Sequence, residues 1–159
     1  MPSLVPKVLV VEDDDAIRSL LYAALRREAF DVHVAHDGAE ALRLTAAAEY
    51  AVILLDLMMP HMNGFEFLAE FRRATPDARS VVFVVTAFDD AMIGRLNSEQ
   101  VHAIVRKPFD VGQLVAMVRE VAMTWSGHTF VADSQNAGAN SSSAHEPLTN
   151  DSNPNDPTN

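Results

Sequence analysis

"KVLVVEDDDAIR", residues 7–18, runs from a short apolar, β-branched segment (7–11) straight into four carboxylates, Glu12, Asp13, Asp14 and Asp15. Like charges repel, and a carboxylate taken out of water is costly, so something must offset this arrangement. One offset is ordinary: acids favour a helix N-terminus by about 0.3–1 kcal/mol each. A helix does follow, since Ile17, Leu20, Leu21, Ala24 and Leu25 recur at helical spacing. The stretch therefore reads as a buried strand, an acidic turn and an amphipathic helix, the first unit of an alternating fold.

Working outward, β-branched and apolar runs recur at 31–35, 51–56, 80–86 and 103–106, with helical patterns between them. Val111, Leu114, Val115, Val118 and Ala122 mark the last helix, for which Asp110 and Gln113 form a candidate capping box. Five strands alternating with five helices predict an α/β fold, a parallel sheet with helices on both faces. The runs "YAVILLD" and "SVVFVVT" suit central strands, whereas "FDVHVAHD" alternates and suits an edge.

Composition bounds the rest. The 159 residues predict one domain, and the absence of cysteine excludes disulfides and thiolate metal sites. A net charge of -10 argues against direct nucleic-acid binding. No apolar run is long enough to insert into a membrane, and the expected location is cytoplasmic. From residue 125 the chain turns acidic and Ser/Asn-rich, with no Lys or Arg, so residues 125–159 are expected to be a disordered tail and 5–124 the domain.

Ligands of open α/β sheets bind beyond the carboxyl ends of the strands. Those ends carry Glu12 and Asp13, Asp56, Thr86, and Lys107 followed by Pro108. Clustered carboxylates suit a hard divalent cation, which also relieves their repulsion. A carboxylate can attack phosphorus, and a cation, an ammonium and a hydroxyl can stabilise charge on the transferring group. Spacing alone does not rank Glu12, Asp13 and Asp14.

The segments "VLVVEDDDAIRSLL", "VILLDLMMPHMNGFEFL", "VVFVVTAF" and "VRKPFD" resemble the receiver domains of two-component response regulators, over about residues 5–124. The resemblance implies a (βα)5 flavodoxin-like fold with sheet order 2-1-3-4-5. It makes Asp56 the phosphoacceptor and Asp13 a direct ligand of Mg2+ (or Mn2+), with Glu12 acting through water and Met58 supplying its backbone carbonyl. Thr86 would bond the phosphoryl group, and Lys107 would pair with Asp56 before phosphorylation and the phosphoryl group after it. The Lys107–Pro108 bond would be cis, and Pro60 and Gly64 would shape the loop after Asp56, Gly64 through unusual backbone angles. Asp14 and Asp15 fall outside the pair, as acids at the helix start.

The implied role is a single-domain response regulator, phosphorylated by a histidine kinase or phosphotransfer protein. It is a phosphoacceptor rather than an enzyme, signalling through the face of the fourth helix, fifth strand and fifth helix. Two departures stand out. Ile104 occupies the switch position where the family usually carries an aromatic, and "MIGRLNSEQVHAIV" predicts a short or mobile fourth helix. Met58 and Phe88, two residues past Asp56 and Thr86, are expected to shield a phosphoryl group from water.

Other classes fit less well. An Asp-based phosphatase would want an acid at position 58. Phosphate-binding Gly-rich turns are missing, and an FMN phosphate would meet Glu12 and Asp13. His33 and His36 lack further convergent ligands. The alternative is a receiver-like module that binds partners without phosphorylation, which Ile104 favours and the intact Asp13, Asp56, Thr86 and Lys107 set opposes.

Overall fold

A computed structural model describes residues 5–135, with side chains described through Trp125. The elements alternate without exception: β1 (Lys7–Val11), α1 (Asp15–Arg26), β2 (Asp31–Ala35), α2 (Gly38–Ala47), β3 (Val52–Leu55), α3 (Gly64–Ala74), β4 (Val81–Thr86), α4 (Asp90–Ile93), β5 (Ala103–Arg106) and α5 (Val111–Gln135). The strands form one parallel sheet in the order β2-β1-β3-β4-β5. β2 lies at an edge, as its alternating sequence predicts, and every residue of β3 is buried.

Alternation of side chains along each strand divides the core between the two faces of the sheet. Val8 and Val10 of β1 face one layer with Leu21 and Leu25 of α1 and Leu114, Val115 and Val118 of α5. Leu9 and Val11 face the other, with Ala41 of α2 and Phe67, Leu68 and Phe71 of α3.

Helix starts follow local chemistry. Asp14, Asp37, Asn63 and Asp89 each accept a backbone N–H of the first turn of α1, α2, α3 and α4 respectively, satisfying donors that the helix leaves open. Asn63 and Glu66 complete a reciprocal capping box. For α5, the Gln113 N–H donates to Asp110 Oδ1 at 2.8 Å.

One outcome agrees in extent with the sequence reading and one departs from it. α4 is a single turn of four residues, closed at Gly94, so the short fourth helix is observed. α5 continues to Gln135, past the boundary expected at residue 124. A helix anchored in the core adds one hydrogen bond for each further residue it fixes, and no proline interrupts the chain until Pro147. Residues 136–159 of the expected tail lie outside the described residues.

Candidate functional site

The sheet order reverses between β1 and β3, and the functional groups gather at the carboxyl ends of these strands. The ladder runs one step beyond them: the Glu12 N–H donates to Ala35 O at 3.0 Å and the Asp56 N–H to Val11 O at 2.9 Å. Both carboxylates are thereby fixed by sheet register. Glu12 and Asp56 are buried, at 2% and 4% exposure, while Asp13 is exposed. Glu12, Asp13 and Asp56 present oxygens within 4.8 Å of one another, the one such group of three among the described residues.

Lys107 reaches this group from the end of β5. Its Nζ lies 2.7 Å from Glu12 Oε2 and 3.2 Å from Asp56 Oδ2. Burial pulls the Lys107 pKa down, but the hydrogen bonds and negative charges of Glu12 and Asp56 outweigh it, and the net direction is up. Burial pushes the Glu12 carboxyl up, as does the charge of Asp56. The hydrogen bonds that it accepts from Lys107 and the Asp14 N–H act against this. A buried carboxylate pair sharing one ammonium carries excess negative charge, which suits a hard divalent cation bound through oxygen. The donor set fits: three carboxylates, one of them open to solvent.

The remaining groups are placed by neighbouring loops. The Met58 N–H donates to Asp56 Oδ1 at 3.1 Å, and the Met58 side chain is half exposed. Thr86, fully buried, ends β4; its Oγ1 accepts the Phe88 N–H at 3.2 Å and its carbonyl accepts the Lys107 N–H at 2.9 Å. The Lys107–Pro108 bond is cis. Ile104 pairs with Val84 and is 42% exposed, on the surface of β5. A cleft of about 350 Å³ opens beside Asp13, lined also by Arg18, His36, Pro60 and His61.

One expectation is corrected. Gly64 has no positive φ; within this loop that conformation falls on His61, at 68°. Gly64 is needed for space, because a Cβ would stand 2.5 Å from the Asp56 carbonyl oxygen. The absent side chain lets the start of α3 close on the backbone, with the Gly64 N–H donating to Leu57 O at 3.1 Å.

Sequence reasoning missed Arg18 and the partner that Lys107 approaches more closely. Arg18 Nη1 donates to the carbonyls of Glu12 at 2.8 Å and Asp13 at 3.3 Å, clamping the acidic turn from the first turns of α1. Arg18 lies six residues after Glu12 on an amphipathic helix where a charged residue is ordinary, so the sequence offered no distinctive signal. Lys107 was expected on Asp56 and lies closer to Glu12. His33 and His36 do not converge: His33 Nδ1 meets Tyr50 OH at 2.6 Å, and His36 pairs with Glu40 and Asp37.

The response regulator receiver domain family matches residues 8–119. The chain belongs to that family. Receiver domains are the phosphoryl-accepting signalling modules of two-component systems. Among relatives of this receiver domain, the transcriptional regulatory protein YkoG of Bacillus subtilis is 32% identical over 114 residues, 70% of this chain and 49% of that protein. The sensor kinase CckA of Brucella abortus is 34% identical over 116 residues, 72% of this chain and 12% of that protein. The chain thus spans about half of one of these relatives and about an eighth of the other. Among solved structures, the response regulator TrrA from Thermotoga maritima, determined in complex with Mg2+-BeF, superposes with a TM-score of 0.65 at 29% identity, covering 74% of this chain and 99% of that one. Among the described residues of this receiver domain, no helix is long and apolar enough to cross a membrane.

Proposed function

We propose that Asp56 accepts a phosphoryl group from the phosphohistidine of a histidine kinase or phosphotransfer protein. The convergence of Glu12, Asp13 and Asp56 with the Lys107 ammonium carries this reading. An Asp56 carboxylate oxygen forms the new bond to phosphorus as the bond from phosphorus to the donor nitrogen breaks, and the imidazole leaves with that electron pair. Asp13 and Asp56, the Met58 carbonyl, and Glu12 through water would hold Mg2+. When bound, it would neutralise charge on the phosphoryl oxygens. Lys107 exchanges its bond to Asp56 for one to the phosphoryl group, and the Thr86 hydroxyl leaves the Phe88 N–H to bond a phosphoryl oxygen. The cleft beside Asp13 gives the donor side chain its approach.

The phosphoryl group adds about 1.5–2 negative charges and biases the segment after Thr86 between two arrangements. The signal leaves as a protein contact on the face of α4, β5 and α5, in the cytoplasm. Residues 5–124 constitute the functional unit in this reading, with residues 125–159 appended.

Incubation with a small acyl phosphate and Mg2+, read by intact mass, tests the proposal. One phosphoryl group should add to the chain and none to Asp56→Asn. No added mass, or equal labelling of Asp56→Asn, overturns it. The exposure of Ile104 favours the second reading, a partner-binding module that needs no phosphate, and unlabelled protein in this experiment is the outcome it requires.

A further inference from the structure

With α4 reduced to one turn, the outer side of β5 lies open: Ile104 is 42% exposed and Arg106 half exposed. Both stand on the sheet face of Val84 and Thr86, their register partners. From there Arg106 reaches over the segment that follows β4. Its Nη1 donates to Phe88 O at 3.1 Å, and its Nη2 pairs with Asp90 in the first turn of α4.

Phe88 is consequently held at both ends of its backbone, its N–H on the Thr86 hydroxyl and its carbonyl on Arg106. Its ring lies on Phe65 of α3, 6.1 Å between centroids. When Thr86 turns its hydroxyl to a phosphoryl oxygen, the Phe88 N–H loses that acceptor. The bonds to Arg106 then decide whether the segment stays or moves. Arg106 also directly precedes Lys107, so the tether and the site lysine share one backbone.

We propose that Arg106 is a positioning residue that ties the β4–α4 segment to the end of β5 and governs how far phosphorylation of Asp56 displaces α4. The proposal rests on the phosphoacceptor reading above. Position 104 carries Ile and no aromatic, and Arg106, two residues on, supplies a restraint of its own. A charge-assisted bond to a carbonyl is directional and holds one loop geometry. An exposed ion pair is weak enough to be exchanged when the site changes.

The test is amide deuterium exchange over residues 87–96 of the full chain, with and without acyl phosphate and Mg2+, with labelling of Asp56 followed by intact mass. In the unphosphorylated protein, Arg106→Gln should raise exchange there by roughly three- to tenfold, the loss of one such bond. Residues 66–74 should be unchanged. The additional exchange caused by phosphorylation should fall below half that of the wild type. Arg106→Lys, able to keep one of the two acceptors, should lie between them. Asp90→Asn, at a site 95% exposed and outside the core, should give a smaller effect in the same direction.

Unchanged exchange in unphosphorylated Arg106→Gln overturns the tether. Faster exchange with an undiminished phosphorylation increment overturns the coupling. Wild-type protein that takes up no phosphoryl group fails the phosphoacceptor reading and with it the coupling, while the unphosphorylated comparison still decides the tether.

Discussion

At Gly64 the limit is set by backbone rather than by side chains. A Cβ would approach Leu57 Cα to 2.7 Å as well as the Asp56 carbonyl, and neither can turn aside as a flexible side chain would. Gly64→Ala should therefore lower stability by about 1–3 kcal/mol, as overpacking does. Under the proposed function it should also slow labelling of Asp56, because relief comes by moving the loop after Asp56; urea denaturation and phosphorylation rates check the two effects separately. Met58 is half exposed two residues past Asp56, bonded through its N–H to the carboxylate. A polar side chain there can guide water where methionine obstructs it, so Met58→Asn should speed loss of the phosphoryl group; an unchanged rate would remove the shielding role. The acids after β1 separate by partner: Asp14 accepts the Ile17 N–H and caps α1, while Glu12 and Asp13 join Asp56. That division came with the family resemblance, because spacing alone did not rank Glu12, Asp13 and Asp14. The Lys107–Glu12 contact was not legible in the sequence, since it joins residues 95 apart and depends on three strand pairings at once.

Among the elements, α2 offers a readout in pH. Its cap, Asp37, is held below the usual carboxylate value of 3.8, chiefly by the backbone N–H of Glu40 and further by the charges of His36 and His61 when protonated. A depressed folded-state pKa means that the unfolded chain binds the proton more readily. The stabilisation is complete above 3.8 and is lost as pH falls through the lower folded value. Asp37→Ala should therefore cost about 1 kcal/mol at neutral pH. The gap from wild type should narrow as pH drops below 3.8, measured by urea midpoints at both ends. The β-branched runs located all five strands to within a residue at the ends, the central ones because burial on both faces leaves a nearly unbroken apolar signature. Helix ends were less legible. Gly94 and the polar residues after it foretold a weak α4, yet composition did not show that α5 runs on past residue 124, since propagation from a packed helix needs no apolar side chains.

For the whole molecule, among the residues whose side chains are described, α5 joins the core through Leu114, Val115, Val118, Ala122 and Trp125. Deleting residues 126–159 should leave Asp56 labelling intact, and a large loss would give the appended segment a part in the site. The two-layer architecture followed from alternation alone, but the sheet order came with the family resemblance, because periodicity does not say which strands are neighbours. Arg18 and Arg106 escaped the sequence for a related reason: each acts on main-chain carbonyls, which every residue carries and no motif marks.

Lys107 closes its site against Glu12, the two following the last and the first strand in chain order. A ribosome making this chain therefore releases the acids long before their counter-charge. Until residue 107 emerges, Glu12 and Asp56 lack the ammonium that neutralises them in the folded protein. That counter-charge arrives with β5, the last strand to be made. Under the proposed function, phosphate uptake by Asp56 would thus report on the docking of β5 as well as on signalling, and products truncated before Lys107 would take up none.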